Sequence, residues 1–342
     1  MTTPAQPPSP VLFFETMNAY QRTAVLKGAI ELDLFSAIAE GAQTSIELAR
    51  RCKASGRGIR ILCDYLTVIG FLTKQGDRYG LTPDAAMFLD RRSPAYLGTA
   101  TRFLANPTSY EAFSNVAETV RKGTTILAGE GMTDPERKEW VEFARGMAPM
   151  MHMPAEGIAG ILGAKGAKGA SGNWKVLDIA AGHGMFGITL ARHNPKAEIT
   201  ALDWANVLEV AKENAQAAGV AARYKTIAGS AFEAEFGTGY DVVLLTNILH
   251  HFDVAACEAL LGRVHAALAP SGRAVILEFV PNDDRVSPPQ AATFSMMMLG
   301  MTPAGDAYTF KELESMCRNA GFTGVQMHPL APHPEAVVVA SK

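Results

Sequence analysis

The residues best suited to chemistry surround a glycine turn in the segment KVLDIAAGHGMFG, residues 175–187. A short apolar run that carries Asp178 leads into this turn, and a helical pattern follows it. In α/β proteins, a strand that breaks at glycines and continues as a helix brings backbone N–H groups close to a nucleotide-like ligand. We therefore expect a ligand with a ribose here. The turn contains Gly182, Gly184 and Gly187.

Two acidic residues help to decide which ligand this is. The glycine spacing matches the dinucleotide fingerprint, and Asp203 follows Gly182 by about 20 residues, as in NAD-binding proteins. Asp178, however, would repel a pyrophosphate, whereas it suits a ligand that carries ammonium and sulfonium charges. We therefore expect S-adenosylmethionine, with S-adenosylhomocysteine as product. NAD binding, or a turn that only packs a helix on a strand, are the alternatives.

Other donor-binding candidates come directly after predicted strands. The carboxylate of Asp203 can accept both ribose hydroxyls, and an aromatic ring can cover the adenine. The alternative role of Asp203 is to cap the following helix. The remaining candidates for this site are Trp204, Ser230, Ala231, Phe232 and Asn247.

The segment NILHHFD, residues 247–253, contains two adjacent histidines. Their side chains point in different directions, so we do not assign them one shared role. An imidazole with an ordinary pKa of about 6.5 can take a proton from a phenol of pKa about 10 as its oxygen attacks, and we assign that role to His250. Glu278, after the next strand, would fix its tautomer, with Asp306 as the other candidate. A buried structural imidazole is the alternative.

Strands and helices alternate from Lys175 onward. This alternation predicts an α/β fold, a doubly wound and mainly parallel sheet with ligands at the carboxyl ends of its strands. The closing runs VQMH and AVVVAS predict an edge with one antiparallel strand. The predicted fold therefore places the glycine turn and His250 at the same edge of one sheet.

The N-terminal part predicts a winged helix-turn-helix, since two helices precede two short strands joined by a Gly-Asp turn. Residues 43–80 hold seven Lys or Arg and three Asp or Glu, a balance of +4. These basic residues are spread along the elements, which favours a dimerisation or scaffolding role over DNA binding. They are Arg50, Arg51, Lys53, Arg57, Arg60, Lys74 and Arg78.

A mainly helical stretch with clustered methionines follows, and it ends in the connector GILGAKGAKGASGN. Flexible thioethers adapt to irregular apolar shapes, so these methionines could line a pocket, although core packing is their commoner use. The connector's composition is typical of a flexible domain boundary. The methionines of this cluster are Met147, Met150, Met151 and Met153.

Composition limits the classes of protein. The chain has 342 residues, is 48% hydrophobic and 19% charged, and has a net charge of -3, which favours a globular protein without a nucleic-acid or acidic-membrane partner. Its four cysteines form no CxxC pair, which indicates reduced thiols and no zinc site. The Pro-rich start MTTPAQPPSP indicates a flexible tail and no signal peptide, so we expect a cytoplasmic location.

An ordered set of motifs resembles the small-molecule O-methyltransferase family, which includes plant caffeate and flavonoid enzymes and bacterial polyketide-tailoring enzymes. The resemblance implies a winged-helix dimerisation domain, a class I methyltransferase domain, S-adenosylmethionine as donor, no metal and a homodimer. It covers nearly the whole chain. The motifs are AIELDLFSAIAEG, RGIRILCDYLTVIGFL, YGLTPDA, VLDIAAGHG, NILHHFD, LAPSGRAVILE and GDAYTFKELESMCRNAGF.

The resemblance assigns residues one by one. His250 matches the family's catalytic base and Glu278 matches one of its two flanking acids. The second acid falls at or beside Ala307, so only Asp306 could replace it. Phe143 and Met147 match pocket residues, and Gly182 and Asp203 match donor-binding positions.

The chain departs from the plant members at three places. They have Asp where Ser230 stands and Lys where Thr246 stands, which weakens two expected donor contacts. They have Asp-Trp at the positions of His251 and Phe252, so the resemblance gives His251 no catalytic role. Arg145 could replace a lost contact to the donor carboxylate by charge complementarity.

These observations predict a homodimeric, metal-independent methyltransferase that acts on a hydroxyl of an aromatic or polycyclic small molecule. The alternatives are a carbon or nitrogen methyltransferase or a non-methylating member of the same fold, and a winged-helix DNA-binding regulator. The expected substrate-lining residues are Phe143, Met147, Met150, Met151, Phe294, Met297 and Met298. The expected divisions are a tail at 1–10, the dimerisation domain at 11–105, a helical connector that contributes to the substrate pocket at 106–172, and the donor-binding domain at 173–342.

Overall fold

The computed structural model describes residues 7–134, 137–163 and 172–342. The chain divides into two compact units, residues 1–101 and 102–342, where we had placed a boundary at residue 105. Residues 1–6 of the predicted tail and residues 164–171 of the Gly/Ala/Lys-rich connector lie outside the described residues.

The first unit is a winged helix preceded by helices, as predicted. Thr44 and Glu47 form a capping box at the start of α4, and the Ser55 side chain caps α5, so both helices begin at the polar residues that the sequence offers. The two strands pair antiparallel. The elements are α1 Val11–Met17, α2 Ala19–Glu31, α3 Leu34–Ala39, α4 Ser45–Arg51, α5 Gly56–Val68, β1 Leu72–Gln75, β2 Arg78–Leu81 and α6 Pro83–Phe88.

Several basic residues of this unit pair with its own acids. Arg51 contacts Glu40 at 2.8 Å and Asp33 at 3.3 Å, and Arg60 and Lys74 both contact Asp64. The local excess of positive charge is therefore partly balanced within the unit.

The second unit starts with short helices that lead to the sheet. Asn106 and Asn115 cap α8 and α9 through their side chains. The helices before the sheet are α7 Thr101–Leu104, α8 Pro107–Ala112, α9 Val116–Lys122, α10 Glu139–Met147 and α11 His152–Ile161.

A seven-stranded sheet forms the core of the second unit, in the order β5-β4-β3-β6-β7-β9-β8. Strands β3 to β7 are parallel, and β9 runs antiparallel to both β7 and β8. The antiparallel strand therefore lies one position inside the edge, while β8 forms the edge itself. The strands are β3 Lys175–Ile179, β4 Glu198–Asp203, β5 Tyr224–Ala228, β6 Tyr240–Thr246, β7 Leu268–Glu278, β8 Gly324–Pro329 and β9 Ala336–Ser341.

Helices cover both faces of this sheet, which makes it the doubly wound α/β sheet that the sequence predicts. Strand residues alternate between two apolar clusters, so that Leu177 and Ile179 pack on one face and Val176 packs on the other. The order of the chain thus brings the ends of β3, β4, β6 and β7 to one edge. The helices are α12 Met185–His193, α13 Ala205–Ala217, α14 Val254–Ala267, α15 Pro289–Met301 and α16 Phe310–Asn319.

Among the described residues, no helix is both long and apolar enough to cross a membrane.

Candidate functional site

The glycine turn joins β3 to α12 through left-handed backbone at Ala180, Gly182 and Gly184. A Cβ at Gly184 would lie 2.5 Å from the Tyr224 hydroxyl, and one at Gly187 would lie 2.7 Å from Ile199. These two glycines are therefore required for packing. At Gly182 the nearest atom would be Phe143 Cε1 at 3.8 Å, which leaves room for a ligand to approach the backbone.

Asp178 is a buried carboxyl with an unused oxygen. Its Oδ2 accepts a hydrogen bond from the Gly187 N–H at 3.0 Å, while its Oδ1 has no partner among the described residues. Burial and, to a smaller extent, the nearby charge of Asp203 raise the pKa of Asp178 to about 7. Because an unpaired buried charge is costly, this carboxyl fits a ligand that brings a cationic group.

Asp203 lies at the end of β4, beside the turn. Its Oδ2 accepts from the Gly182 N–H at 2.8 Å and its Oδ1 accepts from the Trp204 N–H at 2.7 Å. Burial raises the pKa of Asp203 to about 6, against the lowering effect of these two hydrogen bonds. Trp204 is the N-cap residue of α13, which has no side-chain cap, so Asp203 does not cap that helix.

The loop after β5 is tied to Asp203 and folded on itself. The Gly229 N–H donates to the Asp203 carbonyl at 3.0 Å, and the Ser230 hydroxyl accepts from the Phe232 N–H at 3.2 Å. Phe232 packs edge-on against Phe252 with 4.9 Å between ring centroids. The structure therefore places Ser230, Ala231 and Phe232 next to the end of β4.

Asn247 follows β6 in a left-handed conformation, with φ 56°. Its Nδ2 contacts the Met151 sulfur at 3.9 Å, and its buried Oδ1 has no partner among the described residues. Asn adopts this left-handed backbone more readily than most residues. The side chain of Asn247 thus places an unused hydrogen-bond acceptor at the edge of the sheet.

His250 and Glu278 form a buried pair at the ends of β6 and β7. Only 5% of His250 and 2% of Glu278 is exposed. His250 Nδ1 lies 2.5 Å from Glu278 Oε2, and the His250 backbone N–H donates to Oε1 at 3.3 Å. An ionised carboxylate only accepts, so Nδ1 carries the proton and Nε2 presents its lone pair.

The structure does not place Asp306 at this imidazole, which corrects one of our predictions. Asp306 Oδ2 accepts from Arg285 at 3.1 Å and its Oδ1 accepts from the Ala307 N–H at 2.8 Å. Arg285 also contacts Glu312. Asp306 therefore anchors the loop before α16, and Glu278 is the acid that orients His250.

Arg145 pairs with an acidic side chain that was not among the predicted donor residues. Its guanidinium makes two hydrogen bonds to Glu213, at 2.8 Å and 3.1 Å, in a largely exposed ion pair. This pair joins α10 to α13 on the surface. The structure thus gives Arg145 a partner other than the donor carboxylate that we had predicted.

Aromatic rings surround His250 on the side expected for the acceptor. Phe294 lies edge-on to His250 at 4.9 Å, and Phe279 stacks on Phe294 at 4.1 Å. Trp140 packs edge-on against both Phe143 at 5.7 Å and His251 at 5.3 Å. A flat aromatic molecule would meet rings from helices α10 and α15.

The predicted methionines do not all lie in the same surroundings. Met151 and Met298 are 6% and 4% exposed and pack in the interior, and Met147 is 9% exposed. Met150 and Met297 are partly buried beside apolar clusters. Packing therefore accounts for much of this set, as the commoner use of Met suggested.

Our sequence predictions missed Trp140, Phe279 and His183 as site residues. Trp140 precedes Phe143 by three positions in α10, so helical spacing alone could have placed it on the same face. Phe279 directly follows Glu278. His183, inside the glycine turn, lies nearly parallel to Phe143 with 6.4 Å between centroids, and burial lowers its pKa to about 4.

Among the described residues, no group of three or more His, Cys, Asp or Glu side chains is arranged to hold a metal ion.

Family models match both parts of the chain. Residues 131–323 match an O-methyltransferase domain, and residues 14–91 match an O-methyltransferase dimerisation domain. The first model alone covers more than half of the chain. The two matches follow the same order along the chain as the two compact units.

Individual proteins agree with these models. The chain is 30% identical to a 3-hydroxy-5-methyl-1-naphthoate 3-O-methyltransferase of Streptomyces sahachiroi, over 95% of this chain and 92% of the relative. It is 28% identical to a tetracenomycin polyketide synthesis 8-O-methyl transferase of Streptomyces glaucescens, over 91% and 90%.

Solved structures share the whole fold. A candidate O-methyltransferase from Nostoc punctiforme superposes with a TM-score of 0.93 and 52% identity, covering 98% of this chain and 100% of that one. Human N-acetylserotonin methyltransferase, solved with S-adenosylmethionine, gives a TM-score of 0.85 at 21% identity, over 100% and 99%. The chain therefore belongs to the S-adenosylmethionine-dependent small-molecule O-methyltransferase family.

Proposed function

We propose that this enzyme transfers a methyl group from S-adenosylmethionine to a hydroxyl of an aromatic or polycyclic small molecule, with His250 as general base. The observation that carries the proposal is the buried pair of His250 Nδ1 and Glu278 Oε2, 2.5 Å apart at the carboxyl edge of the sheet. The names of the two Streptomyces relatives, which refer to a hydroxynaphthoate and to tetracenomycin polyketide synthesis, support an aromatic acceptor.

The residues at the carboxyl edge fit this donor. The unpartnered Oδ1 of Asp178 would face its ammonium group, and Asp203 would accept from the ribose hydroxyls. When bound, S-adenosylmethionine supplies a methyl group made electrophilic by the sulfonium. At Gly182 the nearest atom to a built Cβ is 3.8 Å away, so a ligand could approach the backbone there. The further donor-binding residues that we propose are Trp204, Ser230, Ala231, Phe232 and Asn247, whereas Gly184, predicted with them, serves packing against Tyr224.

His250 would move the proton. Because Glu278 accepts from Nδ1–H, the Nε2 lone pair can take the proton of the acceptor hydroxyl. The resulting imidazolium would be stabilised by the adjacent carboxylate. His251 lies 4.3 Å from His250 between ring centroids, and burial together with the charge of His250 holds the pKa of His251 well below its ordinary value. His251 thus stays neutral beside the base.

The aromatic rings would orient the acceptor and exclude water. Phe294 and Phe279 stand on the α15 side, and Phe143 stands on the α10 side with Met147. Holding the hydroxyl in line with the methyl group can account for a large part of the rate. The partly buried Met150 and Met297 and the buried Met151 and Met298 would back this pocket.

A substrate screen tests the proposal. Aromatic compounds that carry hydroxyl, amino or activated ring-carbon positions would be incubated with donor labelled in its methyl group. We expect label on oxygen. Label on nitrogen or carbon would instead support the alternative of a carbon or nitrogen methyltransferase, and stabilisation by NADH but not by S-adenosylhomocysteine would contradict the donor.

Phe294→Ala should raise the KM for the aromatic acceptor about tenfold, because an aromatic contact contributes up to roughly 1.5 kcal/mol beyond its buried area. The affinity for S-adenosylhomocysteine should stay unchanged. Steady-state kinetics and calorimetry measure the two effects. Phe310→Ala, which removes a partly buried phenylalanine of α16, is the control. Equal KM values in both variants would show that Phe294 does not line the acceptor pocket.

Asp178→Asn should stabilise the unliganded enzyme at pH 8 and weaken donor binding about tenfold. The folded pKa of Asp178, about 7, lies above its ordinary value of 3.8, so the folded state binds the extra proton. Its contribution to stability is complete below pH 3.8 and is lost as the pH rises through 7. The Asn side chain keeps an acceptor for the Gly187 N–H but carries no charge.

Thermal unfolding of both proteins at pH 5 and pH 8 and calorimetry with S-adenosylhomocysteine check this expectation. The Tm difference between variant and wild type should be larger at pH 8. A pH-independent Tm difference would mean that Asp178 does not titrate between pH 5 and pH 8 in the folded protein. An unaltered affinity would remove Asp178 from the donor site.

We also propose a homodimer formed through the first unit. Helix α1 has no buried residue, and its apolar side chains are largely exposed, for example Leu12 at 75% and Phe13 at 62%. An apolar helix face of this kind is typical of a surface that associates. The match of residues 14–91 to a dimerisation domain supports a second copy of this chain as the partner.

A further inference from the structure

A guanidinium bridge joins helix α14 to the loop that follows β5. Arg263 donates from one terminal nitrogen to the Ala231 carbonyl at 2.9 Å and from the other to the Ala234 carbonyl at 2.7 Å. Its guanidinium carbon also lies 4.9 Å from the centre of the Phe236 ring. The planar fork of Arg can hold two carbonyls in fixed positions, which a Lys ammonium cannot do in the same way.

The loop itself is a single turn held mainly at its first residue. The Ser230 carbonyl accepts from the N–H groups of Glu233 and Ala234, and the Ser230 hydroxyl accepts from the Phe232 N–H. These bonds close the turn but leave the carbonyls of Ala231 and Ala234 to Arg263. Without the guanidinium, two partly buried acceptors would lose their partner, which favours a different loop conformation.

The helix that carries Arg263 begins beside the proposed base. Asp253 caps α14 by accepting from the Ala256 N–H at 2.8 Å, directly after the segment of His250. Phe252, in that same segment, packs edge-on against Phe232 of the loop at 4.9 Å. One helix therefore fixes both the segment of the base and the loop after β5.

We propose that Arg263 is a positioning residue for the methyl donor, which keeps Ser230, Ala231 and Phe232 in the shape that receives the adenine. This inference rests on the proposed donor site. Arg263 contacts the loop through the carbonyls of Ala231 and Ala234, and this role needs no direct contact with the donor. It acts through the conformation of the loop alone.

A second arginine provides a matched control. Arg223 also donates to backbone carbonyls through both terminal nitrogens, to Ala197 at 2.7 Å and to Ala191 at 2.9 Å. It lies just before β5, at the opposite end of the sheet from the glycine turn. Both side chains are partly buried, so their loss should destabilise the fold to a similar extent.

The test compares Arg263→Met with Arg223→Met by calorimetry, well below the Tm of each variant. The probes are S-adenosylhomocysteine and 5′-methylthioadenosine, which keeps the adenosine but lacks the amino-acid part. We expect Arg263→Met to weaken both probes about tenfold and to raise the KM for the donor while kcat changes little. Arg223→Met should lower the Tm and leave both affinities unchanged. Arg263→Lys should recover part of the affinity.

Unchanged affinities in Arg263→Met would overturn the inference, and so would equal losses in Arg263→Met and Arg223→Met, which would indicate general destabilisation. If Asp203→Ala loses donor affinity while Arg263→Met does not, the positioning role alone fails and the donor site stands. If the wild-type protein binds neither probe, the donor site and the positioning role are both wrong.

Discussion

Replacing His250 with Ala should lower kcat by about 10²-fold to 10⁴-fold, the range for a lost general base, while the affinity for S-adenosylhomocysteine is kept. The imidazole is 5% exposed and is held through Nδ1 by Glu278, which fixes the ring with Nε2 free to accept a proton. A small side chain there would leave the acceptor hydroxyl without a partner for its proton. Single-turnover kinetics with the best acceptor from the screen measures the chemical step.

A second His–Glu pair in the same unit serves as control. His193 Nε2 lies 3.0 Å from Glu156 Oε2, at the end of α12 and away from the glycine turn, and both side chains are partly exposed. His193→Ala should leave kcat within a factor of about two, because it contacts neither the proposed donor nor the proposed acceptor site. If His250→Ala keeps wild-type turnover, His250 is not the base, and a fall in both variants would point to loss of structure.

The sequence predicted that His250 and Glu278 lie close together because the topology brings them to one edge of the sheet. Strand β6 and strand β7 are parallel neighbours, and the two residues come at or just after their carboxyl ends. Any parallel sheet places such residues at one edge. The same topology brings Asp203, at the end of β4, to the glycine turn, where its side chain accepts from the Gly182 N–H.

The contacts between loops and between packed helices could not be predicted from the topology of the sheet. Asp306 is two residues before Tyr308, whose buried ring positions the loop, and its partner Arg285 comes from a separate loop between β7 and α15. Nothing in the spacing of the sequence links these two loops. Similarly, the partner of Arg145 is Glu213, which depends on how α10 packs against α13.

Two of the three glycines in the fingerprint are explained by packing and not by the approach of a ligand. Gly184 and Gly187 match the fingerprint, yet their hydrogen atoms face Tyr224, Ile199 and Asp178 at distances that exclude a side chain. Only Gly182 combines left-handed backbone with open surroundings. A glycine fingerprint therefore reflects both packing and ligand approach, and only the three-dimensional structure distinguishes the two.

Asp203→Ala should weaken the binding of S-adenosylhomocysteine about 10²-fold, since a charged hydrogen-bond acceptor contributes roughly 1.5–3 kcal/mol per bond. The change removes the proposed acceptor for the ribose and also frees the N–H groups of Gly182 and Trp204, which the carboxylate now holds. At saturating donor, kcat should fall far less than in His250→Ala, because the base is untouched. Calorimetry and donor titration of the initial rate separate these effects.

The protonation of Asp203 and Asp178 should make the affinity for the donor depend on pH. Burial raises the pKa of Asp203 to about 6 and that of Asp178 to about 7, and the donor prefers both as carboxylates. Wild-type affinity should therefore weaken as the pH falls from 8 towards 5. In Asp203→Ala this dependence should become smaller, leaving the part that Asp178 contributes.

Asp241→Ala is the matched control for Asp203→Ala, since the Asp241 carboxylate also accepts from a backbone N–H, that of Lys175 at 2.8 Å, but at the start of β6. It should leave donor affinity and its pH dependence as in wild type. An Asp203→Ala protein that binds S-adenosylhomocysteine within about threefold of wild type would exclude a ribose contact. A loss shared by Asp241→Ala would mean that sheet stability, and not the carboxylate beside the glycine turn, determines donor affinity.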